Sequence, residues 1–165
     1  LSAETAAGKY PTETVKAMAR VCDGAEKHPS VQISKHRMDV AFTEISETIA
    51  LSAMYAANHL SDIKAIIALT ESGYTAKLMS RITSPQPIYA LSRHDKTLNK
   101  MALYRGVYPA FFDSTELHEQ SLADAAIAAI RKQAGLKSGD LVIMTHGDAM
   151  ETIGASNTCK IVQVK

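Results

Sequence analysis

The chain reads as an α/β protein, on three observations. Short apolar runs alternate with stretches of helical period along most of the sequence, the pattern of a mostly parallel sheet with helices on both faces. The clearest run, Ala65-Ile66-Ile67-Ala68-Leu69, is continuously apolar, as a strand covered on both faces must be. The last two runs are joined without any helical period between them, whereas a parallel pair needs a crossover of about a dozen residues or more. The expectation is a three-layer sandwich around a five-stranded sheet, mostly parallel, with an antiparallel last strand.

The elements follow in order. Pro11 suits a first helical turn, and Val15, Met18, Ala19 and Cys22 then recur at helical spacing, which predicts an amphipathic helix to about Lys27. Residues 29–39 have no helical period and read as a linker. A helix is expected from Phe42 to His59, with Ile45, Ile49, Ala53, Ala56, Ala57 and Leu60 on one face, small enough for close packing. After the Ala65–Leu69 strand come a helix over 75–83, a strand over 88–91, a helix over 94–102 and a strand over 107–111. Pro109 places that last strand at an edge, because proline donates nothing to a ladder. The helix over 117–134 carries Leu122, Ala125, Ala126, Ala129 and Ile130 on one stripe and ends at Gly135. Strands over 141–145 and 160–164 close the chain.

Composition excludes several classes. Lys+Arg of 18 against Asp+Glu of 17 gives a net charge of +1, no basis for nucleic acid or an anionic membrane as partner, so any anion site must be local. No apolar run reaches the ~18 residues of a spanning helix. Cys22 and Cys159 fit no metal or redox spacing and are expected as reduced, buried thiols of a cytoplasmic protein. The six histidines show no ligand spacing, so no metal site is expected.

Two segments can carry chemistry. Thr70-Glu71-Ser72-Gly73-Tyr74-Thr75 lies where the first strand ends and a helix begins. Backbone N–H groups, a close-approach glycine and the hydroxyls of Thr70, Ser72 and Thr75 converge there as phosphate donors. The same residues also suit an ordinary turn capped by Ser72 or Thr75. The spacing matches neither the nucleoside-triphosphate loop nor the dinucleotide fingerprint.

The second segment, His146 to Thr158, follows the fourth strand and includes Gly147, Gly154 and Ser156. If the chain winds outward and returns with the fourth strand beside the first, the two segments flank the crevice where open α/β sheets bind ligands. A plain exposed hairpin is the alternative. His146 with Asp148 also suggests a small phosphomonoesterase, although no activated nucleophile accompanies them. Arg93-His94-Asp95 and Tyr104-Arg105-Gly106 read as capping and solvation.

Leu1-Ser2-Ala3-Glu4-Thr5-Ala6-Ala7-Gly8-Lys9-Tyr10-Pro11 resembles the L-S-x-E-T-A-x-G-x-Y-P motif of pyruvate kinases. Thr70–Thr75, Leu103-Tyr104-Arg105-Gly106-Val107-Tyr108-Pro109, Gly139–Ile143 and Gly154–Thr158 then follow in the order of that family's C-terminal region. Any one motif is weak, but five in order over essentially the whole chain are specific. With Leu1 in place of an initiator Met, a fragment of a longer enzyme is expected. The resemblance implies that residues 1–28 are the last strand–helix unit of a catalytic (β/α)8 barrel and 40–165 an effector-binding and oligomerisation domain.

It further implies that Ser2, Glu4 and Thr5 stand at the rim of an active site whose catalytic lysine, Mg2+ ligands and K+ site lie upstream, so no catalytic residue and no cofactor is expected here. An effector phosphate would sit at Thr70, Ser72, Gly73 and Thr75, with His146, Gly147, Gly154 and Ser156 as a second effector loop. Self-association is implied too, a dimer for this chain and a tetramer for the parent. The wording around Met79–Ile82 and Ser92–His94 is most similar to bacterial enzymes activated by AMP or sugar monophosphates. Members that favour a bisphosphate typically carry a basic residue in the second loop, and none stands between His146 and Thr158.

Overall fold

In the computed structural model, residues 1–32, 41–148 and 156–165 are described. A π-helical turn at Ala3–Ala7 precedes helix α1 (Pro11–Glu26) and a short α2 (Pro29–Gln32). The sheet domain follows as α3 (Ile45–His59), β1 (Ile63–Leu69), α4 (Tyr74–Ser80), β2 (Ile88–Ser92), α5 (Asp95–Met101), β3 (Val107–Phe111), α6 (Glu119–Ala134), β4 (Leu141–Gly147) and β5 (Ser156–Gln163).

The strand order is β3-β2-β1-β4-β5. β1 pairs in parallel with both β2 and β4, β2 with β3, and only the β4–β5 pair is antiparallel. The chain therefore winds out through β2 and β3 and returns along α6 to lay β4 beside β1. This places a topological switch point between the carboxyl ends of β1 and β4, the condition under which the two segments flank one crevice. Pro109 lies on β3, an edge strand.

Alternation along the strands splits the core in two. Ile66, Ala68 and Ile143 face a layer built on Ala53 and Met54 of α3, Met79 of α4 and Met101 of α5. Ala65, Ile67, Val142 and Met144 face Leu122, Ala126 and Ile130 of α6. α6 ends at Gly135 in the left-handed region, φ 63°, where glycine escapes the Cβ penalty.

Several expectations are corrected. α3 starts at Ile45 rather than Phe42, and its buried side is Ser46, Ala50, Ala53, Met54 and Ala57. Ile45 is 68% exposed and Leu60 is exposed as well, so the helix is turned from the expected face. Three alanines beside Met54 let it lie close against α4, β4 and β5. On α6, Ile127 is buried in place of the exposed Ala129. β4 and β5 are longer than expected, so His146, Gly147, Ser156, Asn157 and Thr158 are strand residues, not loop residues. The thiols are not buried: Cys22 is exposed and Cys159 only half-buried. The exposure of Cys22 follows from α1, which has no buried residue at all. The expected linker falls partly on α2, and its residues 33–39 lie outside the described residues.

Candidate functional site

The 70–75 loop is fixed by its own side chains. The Gly73 N–H donates to Thr70 Oγ1 at 3.0 Å and the Tyr74 N–H to Ser72 Oγ at 3.4 Å. Both hydroxyls act as acceptors there, which leaves each O–H proton free to donate outward. Gly73 has φ +76°, and a Cβ on it would stand 2.9 Å from Met101 Cγ, so the turn requires glycine.

Thr75, 3% exposed, and Ser156, 8% exposed, join Oγ to Oγ at 2.6 Å. This bond brings the two predicted segments together at the switch point. The loop's outer flank is held differently. Thr97 Oγ1 donates to the Glu71 carbonyl at 2.9 Å, His94 Nε2 hydrogen-bonds Glu71 Oε2, and Arg93 Nε stands 3.5 Å from the same oxygen. Arg93 and His94, expected in capping and solvation, instead meet a partner in the loop 22 and 23 residues away that becomes apparent only once β1 and β2 pair.

The second segment is stapled at its base. Asp148 accepts from Asn157 Nδ2 at 2.8 Å and from Thr158 Oγ1 at 3.1 Å, and its N–H donates to Asn157 Oδ1 at 3.2 Å. His146 is 2% exposed, with Nδ1 3.3 Å from the Gly147 carbonyl. Among the described residues, His146 Nε2 and the fully buried Thr145 Oγ1 have no hydrogen-bond partner. No hydrogen bond among the described residues joins His146 to Asp148, the pair from which the phosphomonoesterase reading starts. Gly154 lies outside the described residues.

Ser2 and Glu4 are exposed; Thr5 is half-buried in the π-helical turn. Among the described residues no group of three His, Cys, Asp or Glu side chains can hold a metal. Beside the cluster, the Asp113 carboxyl is held below its ordinary range by the N–H and hydroxyl of Thr115, with a smaller contribution from Arg93 and His94. The Tyr74 phenol is raised, first because it donates to Glu44 at 3.0 Å. A separate cavity of about 510 Å³ opens at the amino ends of β2 and β3, and its one guanidinium, Arg105, donates to Thr83 Oγ1 at 3.0 Å. It lies at the opposite end of the sheet from the switch point.

The family model described as "Pyruvate kinase, alpha/beta domain" matches residues 47–162. The chain belongs to the pyruvate kinase family. Pyruvate kinase II of Salmonella typhimurium is 57% identical over 171 residues, which cover all of this chain and 34% of its own length. A pyruvate kinase of Buchnera aphidicola subsp. Schizaphis graminum is 57% identical over 164 residues, 99% of this chain and 34% of its own. The Candida albicans pyruvate kinase is 34% identical over 175 residues, with 99% and 34% covered. The chain therefore spans about a third of the length of these relatives and corresponds to their C-terminal part, as the sequence motifs imply.

Proposed function

We propose that this chain is the regulatory and assembly part of a cytoplasmic pyruvate kinase. The parent would transfer phosphoryl from phosphoenolpyruvate to ADP with Mg2+ and K+, and would be a tetramer. Residues 1–28 belong to the last barrel unit, with Ser2, Glu4 and Thr5 at the active-site rim, and residues 40–165 form the effector domain. The chain alone has no turnover, because phosphoryl transfer rests on positioning and metal clamping by groups that this sequence does not supply.

The effector is a phosphomonoester, AMP or a sugar monophosphate, with its phosphate on Thr70, Ser72, Gly73 and Thr75 and its remainder toward His146, Gly147, Gly154 and Ser156. One observation carries this reading: Thr70 and Ser72 accept from the loop's own N–H groups, so both present O–H protons at the switch point beside Thr75. Calorimetric titration tests it. AMP, ribose 5-phosphate or glucose 6-phosphate should bind more tightly than fructose 1,6-bisphosphate, and replacing Ser72 and Thr75 together by Ala should weaken binding by at least about tenfold, at ~1 kcal/mol for each lost contact. Tightest binding by the bisphosphate, or an unchanged monophosphate affinity in the double variant, ends the reading.

A further inference from the structure

The one charged side chain in the 70–75 loop is an acid, Glu71, an awkward neighbour for a phosphate. Its placement resolves the conflict. The hydroxyl of Thr75 reaches the β4–β5 side through Ser156, whereas the Glu71 carboxylate reaches the opposite side, to Arg93 and His94 beyond the end of β2. The Glu71 carbonyl, a second negative pole, is held by Thr97 of α5. The loop is spread across the end of β1, donors on one flank and negative groups on the other.

We propose that Arg93 and His94 are positioning residues of the phosphate loop: they act through Glu71, both holding its carboxylate off the anion, with the Arg93 guanidinium offsetting its charge. This rests on the reading of 70–75 as the phosphate site. A released carboxylate beside the hydroxyls repels a dianion in a partly dehydrated site, where like charges interact far more strongly than across bulk water. The acid then sets selectivity against densely charged ligands, and the Arg93 guanidinium on its far side sets how strongly it does so.

The test is a double-mutant cycle on the 165-residue chain, titrated with ribose 5-phosphate and with inorganic phosphate. Arg93→Ala should weaken ribose 5-phosphate binding about fivefold, Glu71→Gln should tighten it about twofold or more, and Arg93→Ala in the Glu71→Gln background should have almost no further effect. Arg93→Lys, which keeps the charge, should recover most of the loss. A role confined to stability predicts instead a fall in melting temperature with no recovery by Glu71→Gln. Equal losses from Arg93→Ala in both backgrounds mean direct contact with the anion, and a silent Arg93→Ala means no positioning; either overturns the inference. If Arg93→Ala does not fold, Glu71→Gln decides alone, and weaker or unchanged binding overturns it. Replacing Ser72 and Thr75 by Ala separates the two levels. If that change leaves affinity intact, both the site and this inference fall; if it weakens binding while Arg93→Ala is silent, only the inference falls.

Discussion

Thr75 and Ser156, 81 residues apart, share a buried Oγ–Oγ hydrogen bond of 2.6 Å that ties the first turn of α4 to the first residue of β5. Each hydroxyl is the other's answer to burial. Removing one leaves its partner unpaired, so Thr75→Val or Ser156→Ala should each cost about 1–3 kcal/mol, and the double variant clearly less than the sum. Urea unfolding of the four proteins measures this. Strict additivity would show that the two hydroxyls do not depend on one another.

Gly73→Ala should be disruptive beyond its size. Its φ of +76° is costly for any residue with a Cβ, and that Cβ would press on Met101, which is fully buried and cannot give way easily. A loss of roughly 1–3 kcal/mol is expected, together with weaker phosphomonoester binding, since Gly73 donates to Thr70. Chemical denaturation and calorimetry on the same variant check both halves.

Much of the fold was legible because burial on two faces leaves a signature one strand long. Ala65–Leu69 and the Leu122, Ala126 and Ile130 positions of α6 could be read without knowing their neighbours. The antiparallel end followed from the missing crossover and the edge position from Pro109, each a local physical constraint. The orientation of α3 was not legible, since a helix with alanines on several sides has no strong apolar face, and only contact with α4, β4 and β5 chooses among them. At the site, Thr70 and Ser72 announced themselves through the strand-to-helix turn. Glu71 with Arg93 and His94, and Thr75 with Ser156, depend on strand pairing between distant segments, for which one sequence carries no signal.

Asp113 gives a pH-dependent prediction. Its carboxyl is held below the ordinary value chiefly by hydrogen bonds from Thr115. A folded-state pKa below the unfolded one contributes stability above the unfolded value, and that contribution disappears as pH falls through the folded value. Asp113→Asn should therefore melt at a lower temperature than the parent at neutral pH, and the gap should close as pH drops through and below the carboxylate range. A gap that stays constant down to about pH 2.5 would show that charge has no part in it.

The cysteines should differ in rate. Cys22 lies exposed on α1, whereas burial raises the thiol of half-buried Cys159. Because the thiolate is the attacking species, a thiol reagent at about pH 8 should modify Cys22 first and Cys159 slowly. Mass spectrometry of a time course, with Cys22→Ser as control, resolves the two; equal rates would contradict the burial of Cys159.

Self-association should run through β5. Two surfaces come into question, the last strand and the small-residue face of the helix ending at His59. The second is taken, because Ala50, Ala53 and Ala57 are buried in the chain's own core. β5 pairs with β4 on one side, is the last strand in the sheet order among the described residues, and has Ile161 51% exposed. A last strand of this kind can extend its sheet when two copies meet across a two-fold axis. Sedimentation should show a dimer at roughly micromolar concentration, and Ile161→Glu, which sets like charges near each other across that axis, should shift it to monomer by at least about tenfold in dissociation constant. A parent chain that stays monomeric at that concentration, or a dimer indifferent to Ile161→Glu, would leave the contact to surfaces other than this edge.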